Sequence, residues 1–430
     1  MKNISIFLLF ACGLIISVQL TAQDRTIVAG IPVNYDESLA GDYKATLPDP
    51  LIMLNGKKVT TTKQWYNKRR PEIVRLFEEH QYGKWPSKKP ELRYTVEEDM
   101  GLEGIAIRRQ VTIFFSQNDD GPKVDVLIYI PKETNAPVPL LLNLSFVANN
   151  LTVNDPGIKQ GMMWETRTKT RSTATGPPRA GSRMNDYIKA FLKEGYGFAT
   201  MNYTDIDPDF AGGATMGVRG LYLKPGQDEP APNEWGSISA WAWGISNVID
   251  YFEKDPSIDA KRIAITGASR LGKTVMWAGA RDTRIAMVLA SCSGEGGAAI
   301  SRRNYGETVA HLTEETRFPY QFAANYSKYG ANVTKLPVDA HMLVALIAPR
   351  PLLLQTGTTD YWSDPKGEFL AAVEAGKVYR LLGKDDLGLT ELPEPDQPIY
   401  NTLGYFMHEG GHGTIPLDWE VYLNFMKLYL

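Results

Sequence analysis

Cysteine is nearly absent from this sequence of 430 residues, which contains only two. Cys12 lies within an apolar N-terminal stretch, so a chain that had lost this stretch would keep Cys292 alone and could not form an internal disulfide. A chain of this length can bury enough apolar surface to fold without cross-links. We therefore expect a large hydrophobic core to stabilise the protein.

A strong excess of charge of either sign is also missing. The 46 lysines and arginines nearly balance the 49 aspartates and glutamates, and the net charge of −3 argues against a general nucleic-acid binder. Hydrophobic residues make up 43% and charged residues 22%, which predicts a folded chain and not a disordered one. The 27 prolines and 38 glycines are dispersed, which excludes a low-complexity chain.

The longest apolar run, residues 4–18, is too short to predict a membrane span, which needs roughly 18 residues. The run follows the positive start Met1-Lys2 and precedes Leu20-Thr21-Ala22, which matches a cleavage site before Gln23. Residues 1–22 are therefore predicted to be a secretory signal peptide, and the protein to be secreted or periplasmic.

An alternative N-terminal interpretation is a lipid anchor, because Leu9-Phe10-Ala11-Cys12 resembles a lipidation box. In that interpretation the apolar segment before Cys12 is very short, and further apolar residues remain after the cysteine. The sequence therefore favours the signal peptide over a lipoprotein.

Beyond the N-terminus, the hydrophobic pattern predicts an α/β protein. Strand-like runs between residues 92 and 130 include a hairpin punctuated by Gly121-Pro122, and Val138–Leu144 is a nearly continuous apolar run typical of a strand buried on both faces. Strands then alternate with helices up to Val421–Leu428, which predicts a mostly parallel sheet covered on both faces with the hairpin as its antiparallel edge. We interpret residues 23–430 as one α/β domain with an N-terminal extension of about residues 23–100.

The segment Arg262–Thr274, RIAITGASRLGKT, reads as a strand, a glycine-rich turn and a helix. Gly267, Gly272, Lys273 and Thr274 fit the phosphate-loop pattern. An exported protein has no reliable supply of nucleotides, however. In addition, no later buried strand ends in an aspartate that could bind magnesium. A serine also occupies the sharpest point of the turn, which disfavours an NTPase.

A nucleophile elbow is the alternative interpretation of the same turn. Such an elbow presents a serine, here Ser269, above the sheet and next to a helix N-terminus that stabilises negative charge. The usual spacing is G-x-S-x-G, whereas the second glycine here, Gly272, comes one residue later. This departure points to a particular subfamily.

An elbow requires an acid and then a histidine downstream. Of five histidines, His412 lies in a glycine-rich loop before the last predicted helix, with His408 as its rival; the other three lie in or near helical stretches and are interpreted as structural. The predicted acid is Asp360, after the strand-like run Pro351–Gln355, with Asp364 as its neighbour. The alternative role for Asp360 is to cap the helix that starts near Pro365.

His408 and His412 also spell the zinc-protease pattern H-E-x-x-H. That pattern binds zinc only on a helix, where residues four apart share a face. Gly410, Gly411 and Gly413 would each cost a helix about 1 kcal/mol, so a loop is predicted and a zinc hydrolase remains a minor alternative. The calcium-loop-like run from Asp205 lacks the glycine and the glutamate that an EF-hand needs.

At this point the sequence resembles the glucuronoyl esterases of carbohydrate esterase family 15. Their hallmark G-C-S-R-x-G-K corresponds to Gly267–Lys273. The resemblance extends over most of the mature chain, through DPLIMLNGKKVTT, KRRPEIVRLFEEHQYGKWP, DIDPDF, SGEGGAAISRRNYGET, LIAPRPLLLQTGTTDYW and GGHG. It implies an α/β-hydrolase fold, a three-layer sandwich around the central sheet.

Two departures from the family pattern affect the predicted site. Ala268 replaces the cysteine before the nucleophile, so a disulfide found in some members cannot form. Cys292 stands where many members have the triad glutamate, and a thiol cannot balance an imidazolium as a carboxylate does. The resemblance therefore points to the arrangement with the acid after the later strand, Asp360, and leaves Glu295 as the reserve acid.

The resemblance implies cleavage of the ester between 4-O-methyl-glucuronic acid of glucuronoxylan and lignin alcohols, without metal or organic cofactor. It implies that Arg270 contributes to the oxyanion hole and that Lys273, Glu307 and Trp362 hold the sugar. The alternatives are a solvated Lys273, a Glu307 paired with Arg302 or Arg303, and a core Trp362. An esterase of another specificity, of the acetyl xylan type, is the functional alternative. We expect a monomer whose partner is its polysaccharide ester.

Overall fold

The computed structural model describes residues 26–134, 136–179, 181 and 183–430. The predicted signal peptide lies outside the described residues. The strands are β1 (Ile27–Val28), β2 (Ile31–Pro32), β3 (Arg93–Gly101), β4 (Ala106–Phe114), β5 (Lys123–Pro131), β6 (Val138–Ser145), β7 (Met162–Glu165), β8 (Thr170–Thr173), β9 (Gly197–Asn202), β10 (Ile258–Ala268), β11 (Met287–Ser291), β12 (Leu352–Gly357) and β13 (Leu403–His408). The α-helices are α1 (Thr62–Gln64), α2 (Arg70–His80), α3 (Asn149–Thr152), α4 (Arg183–Lys193), α5 (Ser237–Phe252), α6 (Arg270–Arg281), α7 (Val309–Thr313), α8 (Ala340–Ile347), α9 (Pro365–Leu381) and α10 (Pro416–Tyr429).

One nine-stranded sheet organises the fold, in the order β13-β12-β11-β10-β6-β9-β5-β4-β3. The strands from β13 to β9 run parallel to their neighbours, whereas β5, β4 and β3 join in antiparallel register. The predicted mostly parallel sheet and its antiparallel N-terminal edge are confirmed. β1 with β2, and β7 with β8, form two small separate hairpins.

Helices cover both faces of this sheet. Because side chains alternate along a strand, Ile263 and Ile265 of β10 belong to a core shared with α5, α6, α8 and α9, whereas Ala264 belongs to a core shared with α4 and α10. Every residue of β6 is buried, as its continuous apolar sequence predicts. The result is a three-layer sandwich with the sheet in the middle.

The N-terminal helical segment runs without interruption from Thr62 to His80. Thr61 caps α1 by accepting a hydrogen bond from the Gln64 amide, and a π-helical turn, Trp65–Arg69, leads directly into α2. Pro71 lies in the first turn of α2, directly after the π-helical turn, and the helical segment continues through it.

The parallel strands bring four sequence-distant loops to one edge of the sheet. β10, β11, β12 and β13 are neighbours, and the segments that follow them carry Ser269, Cys292, Asp360 and His412. The carboxyl ends of parallel strands meet at a single edge, where open α/β sheets place their ligands. Within the described residues, none of the helices combines the length and the apolar character needed to span a bilayer.

Candidate active site

Ser269 occupies a strained turn between β10 and α6. Its backbone has φ 59° and ψ −126°, a conformation that non-glycine residues rarely adopt, and its N–H donates to the Ser291 carbonyl at 2.9 Å. A Cβ on Gly267 would lie 2.7 Å from the Leu271 carbonyl oxygen, and a Cβ on Gly272 would lie 2.7 Å from that of Ser291. Both glycines are therefore required by close backbone approach, which accounts for the unusual spacing of the motif.

His412 and Asp360 are joined by a hydrogen bond. Nδ1 of His412 lies 2.7 Å from Oδ2 of Asp360, and the Ser363 hydroxyl lies 3.2 Å from the same nitrogen. Asp360 is buried, whereas the His412 side chain is 45% exposed. With Nδ1–H donating to the carboxylate, the other ring nitrogen, Nε2, is left to accept a proton.

Ser269, His412 and Asp360 line one cavity of about 350 Å³. Such a volume lies at the lower end of the range for small-molecule sites. A serine, an imidazole and an oriented carboxylate are the groups required for acyl transfer through a covalent intermediate.

Glu295, the reserve acid, is engaged elsewhere. Its Oε1 accepts hydrogen bonds from the Ser301 hydroxyl at 2.6 Å and the Tyr326 hydroxyl at 3.0 Å. Burial raises the pKa of Glu295 to about 8, so the carboxyl is largely uncharged at neutral pH. Of the two candidate acids, the one hydrogen-bonded to His412 is Asp360.

His408 forms a buried pair outside the cavity. Its Nδ1 lies 3.0 Å from both carboxylate oxygens of Asp418, and its Nε2 lies 3.0 Å from the Gly411 carbonyl oxygen. The segment from residue 409 to 413 is a loop, as predicted from its glycines. His408 and His412 therefore do not share a helix face, which the zinc-protease pattern requires.

Cys292 lies beside the Asp360–His412 pair. Its Sγ, an Asp360 oxygen and a His412 nitrogen lie within 4.8 Å of one another, so these residues could hold a metal ion only by giving up the existing hydrogen bond. Burial, followed by the negative charge of Asp360, raises the pKa of the thiol well above its usual value. The group is a neutral thiol at neutral pH and not a carboxylate substitute.

The Arg270 side chain is fixed by Asp209. Its Nη1 donates to Asp209 Oδ2 at 2.5 Å, and its guanidinium stacks on the Phe318 ring, 4.9 Å from the centroid. Asp209 also accepts hydrogen bonds from Tyr203 at 2.6 Å and from Gln321 at 2.7 Å. Burial disfavours the charge on Arg270, but the Asp209 carboxylate outweighs it and raises the pKa of the guanidinium. A rigid cation therefore lies in the cavity wall next to Ser269.

Lys273, Glu307 and Trp362 also line the cavity. Lys273 is only 5% exposed, which contradicts the alternative of a solvated lysine. Burial lowers its pKa, and the charge of Glu307 opposes that effect. Trp362 is partly exposed and lies edge-on to His311 at 5.3 Å.

Glu307 forms an ion pair with Arg317 and with neither Arg302 nor Arg303. Its Oε1 accepts from Arg317 Nη2 at 2.7 Å, and Arg317 lies over the Trp362 ring at 5.3 Å. Arg302 and Arg303 are committed elsewhere, to Asp339 at 2.9 Å and to Asp364 at 2.8 Å, respectively. The alternative in which Glu307 pairs with Arg302 or Arg303 is therefore wrong.

Sequence reasoning missed several side chains of the site, among them Asp209, Arg317, Ser363 and Glu368. Asp209 could have been predicted from the sequence, because it belongs to the DIDPDF segment that carries part of the family resemblance. Glu368 is fully buried and accepts from the Gly294 amide at 2.6 Å, which fixes the turn after β11. Burial raises the pKa of Glu368 to about 8. A glutamate inside a helical pattern gives no sequence signal of such a role.

Comparison with known proteins yields a consistent group of relatives. A family profile described as glucuronyl esterase, fungi, matches residues 230–383. Carbohydrate esterase MZ0003 from an unknown prokaryotic organism is 44% identical over 397 residues, which cover 91% of each chain. A 4-O-methyl-glucuronoyl methylesterase of Podospora anserina is 26% identical over 86% of this chain and 69% of its own.

Solved structures agree with this grouping. A glucuronoyl esterase from Solibacter usitatus has a TM-score of 0.86 at 44% identity, covering 91% of this chain and 99% of its own. A promiscuous CE15 esterase from a marine bacterial metagenome has a TM-score of 0.83 at 43% identity, covering 93% of this chain and 100% of its own. The α/β-hydrolase fold expected from the sequence is confirmed by these neighbours.

Proposed function

Because this chain belongs to the glucuronoyl esterases of carbohydrate esterase family 15, we propose that it hydrolyses the ester between (4-O-methyl-)glucuronic acid of glucuronoxylan and lignin alcohols. The chain is a carboxylic ester hydrolase acting on carbohydrate. The observation that carries the assignment of its catalytic residues is the 2.7 Å hydrogen bond between His412 and Asp360 in the cavity that Ser269 lines.

In the proposed mechanism, Asp360 holds His412 with Nε2 free to act as a base. His412 removes the hydroxyl proton of Ser269 while the serine oxygen attacks the ester carbonyl carbon. The backbone N–H of Arg270 and its guanidinium stabilise the resulting oxyanion, and donors of this kind contribute about 2.7–4 kcal/mol each. His412 then protonates the departing alcohol, and a water molecule releases the uronic acid from Ser269.

The acid half of the substrate occupies the cavity lined by Ser269, Asp360 and His412. Lys273 and Glu307 face this cavity and can donate to and accept from sugar hydroxyls, and the partly exposed Trp362 offers a flat surface for the sugar ring. The Arg317 guanidinium donates to Glu307 Oε1 at 2.7 Å, and this ion pair fixes the carboxylate in the cavity wall.

Two further expectations accompany this function. The N-terminal segment 1–22 directs export, so the mature protein begins at Gln23 and acts in the periplasm or outside the cell. The mature chain acts as one catalytic domain and as a monomer. N-terminal sequencing of the secreted protein tests the predicted start at Gln23. The mass of the protein in solution tests the monomer.

The decisive experiment compares methyl glucuronate, the matching methyl galacturonate and an acetylated xylan. The wild-type protein should prefer methyl glucuronate, and Ser269→Ala should lose its hydrolysis while keeping the unfolding transition of the wild type. Faster release of acetate would instead favour the acetyl xylan type of esterase. Activity retained by Ser269→Ala would refute the assignment of the nucleophile.

A further inference from the structure

Asn34 belongs to the N-terminal extension but contacts the backbone that leads to Glu307. The Gly306 N–H donates to the Asn34 carbonyl oxygen at 2.8 Å. The Asn34 side chain adds a second hydrogen bond, from Nδ2 to the Asn304 carbonyl oxygen at 2.5 Å. Asn34 therefore fixes the backbone just before Glu307, although Asn34 and Asn304 lie 270 residues apart in sequence.

The carboxamide of Asn34 has one defined orientation. Its Oδ1 accepts from the Asp36 N–H at 2.9 Å, which leaves Nδ2 to face the Asn304 carbonyl oxygen. Nδ2 also donates to the Asp36 carbonyl oxygen at 3.0 Å. A backbone N–H only donates and a carbonyl oxygen only accepts, so this position requires both an acceptor and a donor. Asparagine supplies both, whereas aspartate would place an oxygen against the Asn304 carbonyl.

On its other side, the same backbone lies against the turn that carries Trp362. The Glu307 N–H donates to the Trp362 carbonyl oxygen at 2.8 Å. A Cβ on Gly306 would lie 2.4 Å from the Tyr361 carbonyl oxygen and 2.5 Å from that of Trp362, and Gly306 has φ 58°. The close approach requires glycine here. Glu307 and Trp362 are thus carried by two backbone segments in direct contact, one of which Asn34 holds.

His311 links the N-terminal extension to the Trp362 ring. Its Nδ1 accepts from the Thr308 N–H at 3.1 Å, so the ring proton of the neutral imidazole lies on Nε2. Nε2 lies 3.4 Å from the Ile31 carbonyl oxygen. The imidazole is 1% exposed and lies edge-on to Trp362, with ring centroids 5.3 Å apart. The extension therefore also supports Trp362, through the His311 ring.

Two further contacts of the extension flank Asn34. The Asn304 N–H donates to the Ala40 carbonyl oxygen at 2.9 Å. The Glu37 carboxylate accepts from Arg303 at 2.7 Å and from Lys366 at 2.8 Å. Glu37 and Lys366 are 42% and 46% exposed, and exposed ion pairs contribute little. Among the side chains of the extension that contact residues 303 and 304, Asn34 is therefore the one to test.

We propose that Asn34 is a positioning residue for recognition of the acid half of the ester, because it holds the backbone that directs Glu307 and Trp362 into the cavity. The proposal rests on the proposed function, since it takes these two residues to hold the sugar. Asp360 and His412 are joined by their own hydrogen bond. Loss of the Asn34 side chain should therefore weaken sugar binding more than it slows the chemical step.

The experiment measures kcat and KM for methyl glucuronate. Asn34→Ala should raise KM by about threefold to tenfold, as expected for lost hydrogen bonds, and change kcat by less than about twofold. Asn34→Asp, of nearly the same size, should raise KM at least as much. The matched control is Asn55→Ala, in the same extension, where the side chain accepts from the Lys57 N–H at 3.1 Å within a local turn. The control should leave both constants unchanged.

A double-variant cycle with Glu307→Gln separates positioning from a general loss of structure. If Asn34 acts through Glu307, Asn34→Ala should raise KM by a smaller factor in the Glu307→Gln background than in the wild type. An equal factor in both backgrounds, or a KM within about twofold of the wild type in both Asn34 variants, would overturn the proposal. Failure of the wild type to hydrolyse methyl glucuronate would instead overturn the proposed function, so the two failures are distinguishable.

Discussion

His408 and Asp418 form a buried pair that closes the loop carrying His412 at both ends. Both side chains are fully buried, and the imidazole Nδ1 lies 3.0 Å from each carboxylate oxygen. Asp418 also accepts from the Ile415 amide at 2.6 Å, and His408 Nε2 lies 3.0 Å from the Gly411 carbonyl oxygen. Hydrogen bonds of this pair thus reach the backbone on each side of His412, and we infer that they position its ring.

Replacing Asp418 by asparagine should destabilise the protein and impair the loop. Removal of one partner from a buried charged pair costs about 3–5 kcal/mol of unfolding free energy. Urea denaturation measures this loss, and kcat for methyl glucuronate should fall with it because His412 is no longer held. Lys427→Ala is the control on the same helix: its partner Glu194 is exposed, and such pairs contribute about 0–1 kcal/mol. An equal effect of the two variants would contradict the role of the pair.

The same pair should make stability depend on pH. Burial disfavours charge on His408, but the hydrogen bond and the charge of Asp418 outweigh it and raise the pKa of the imidazole above 6.5. A base whose pKa is raised by folding stabilises the protein below its unfolded pKa and loses that contribution as pH rises through the folded pKa. The difference in unfolding free energy between wild type and His408→Gln should therefore be largest below pH 6.5 and shrink at alkaline pH.

The sheet and the turn around Ser269 were predictable because their sequence signals are local. Gly267 and Gly272 are fixed by backbone contacts within the turn and with the neighbouring strand, and such contacts leave a short motif in the sequence. The order of parallel strands places the segments after β12 and β13 at the same sheet edge as Ser269, which indicates where an acid and a base would lie. Chain order does not by itself choose Asp360 over Asp364, or His412 over His408.

The substrate side of the site was less predictable, because its pairs join distant segments. Asp209 and Arg270 are 61 residues apart, and neither lies in a pattern that specifies the other. The pairing of Glu307 with Arg317 is decided by which arginines are already bound to other carboxylates. That competition depends on tertiary packing, so proximity in sequence does not identify Arg317 as the partner of Glu307.

Asp360→Asn should lower kcat by about 10⁴, because an amide cannot hold the required tautomer or balance the imidazolium. Glu295→Gln should leave kcat close to the wild-type value. Glu295 has a pKa raised to about 8 and is mostly uncharged at pH 7, so glutamine reproduces both its charge and its acceptor for Ser301. Steady-state kinetics on methyl glucuronate at pH 7 separates the two, and the reverse order would identify Glu295 as the acid.

Asp209→Ala should reduce kcat by releasing the Arg270 guanidinium from its fixed position. Loss of one oxyanion donor costs about 10²–10³ in kcat, which sets the upper limit for a misplaced one. The double variant Asp209→Ala/Arg270→Ala should be no slower than Arg270→Ala alone, since contacting residues that act through one group are not additive. Multiplication of the two single losses in the double variant would show that Asp209 acts independently of Arg270.

Cys292 offers a test of whether the site can use an acid from β11 in place of the acid after β12. Its Sγ lies within 4.8 Å of both an Asp360 oxygen and a His412 nitrogen, so a carboxylate introduced here would reach the imidazole.

We expect Cys292→Glu to restore activity to the Asp360→Asn variant by about tenfold or more, a coupling typical of residues in contact. Cys292→Gln in the same background is the control, because it adds the same volume to a buried position without the charge. The added volume strains the packing equally in both, so only the charge can separate their kcat values for methyl glucuronate. Equal rates in the two double variants would mean that the end of β11 cannot orient His412, and that the carboxylate of Asp360 is required where it stands.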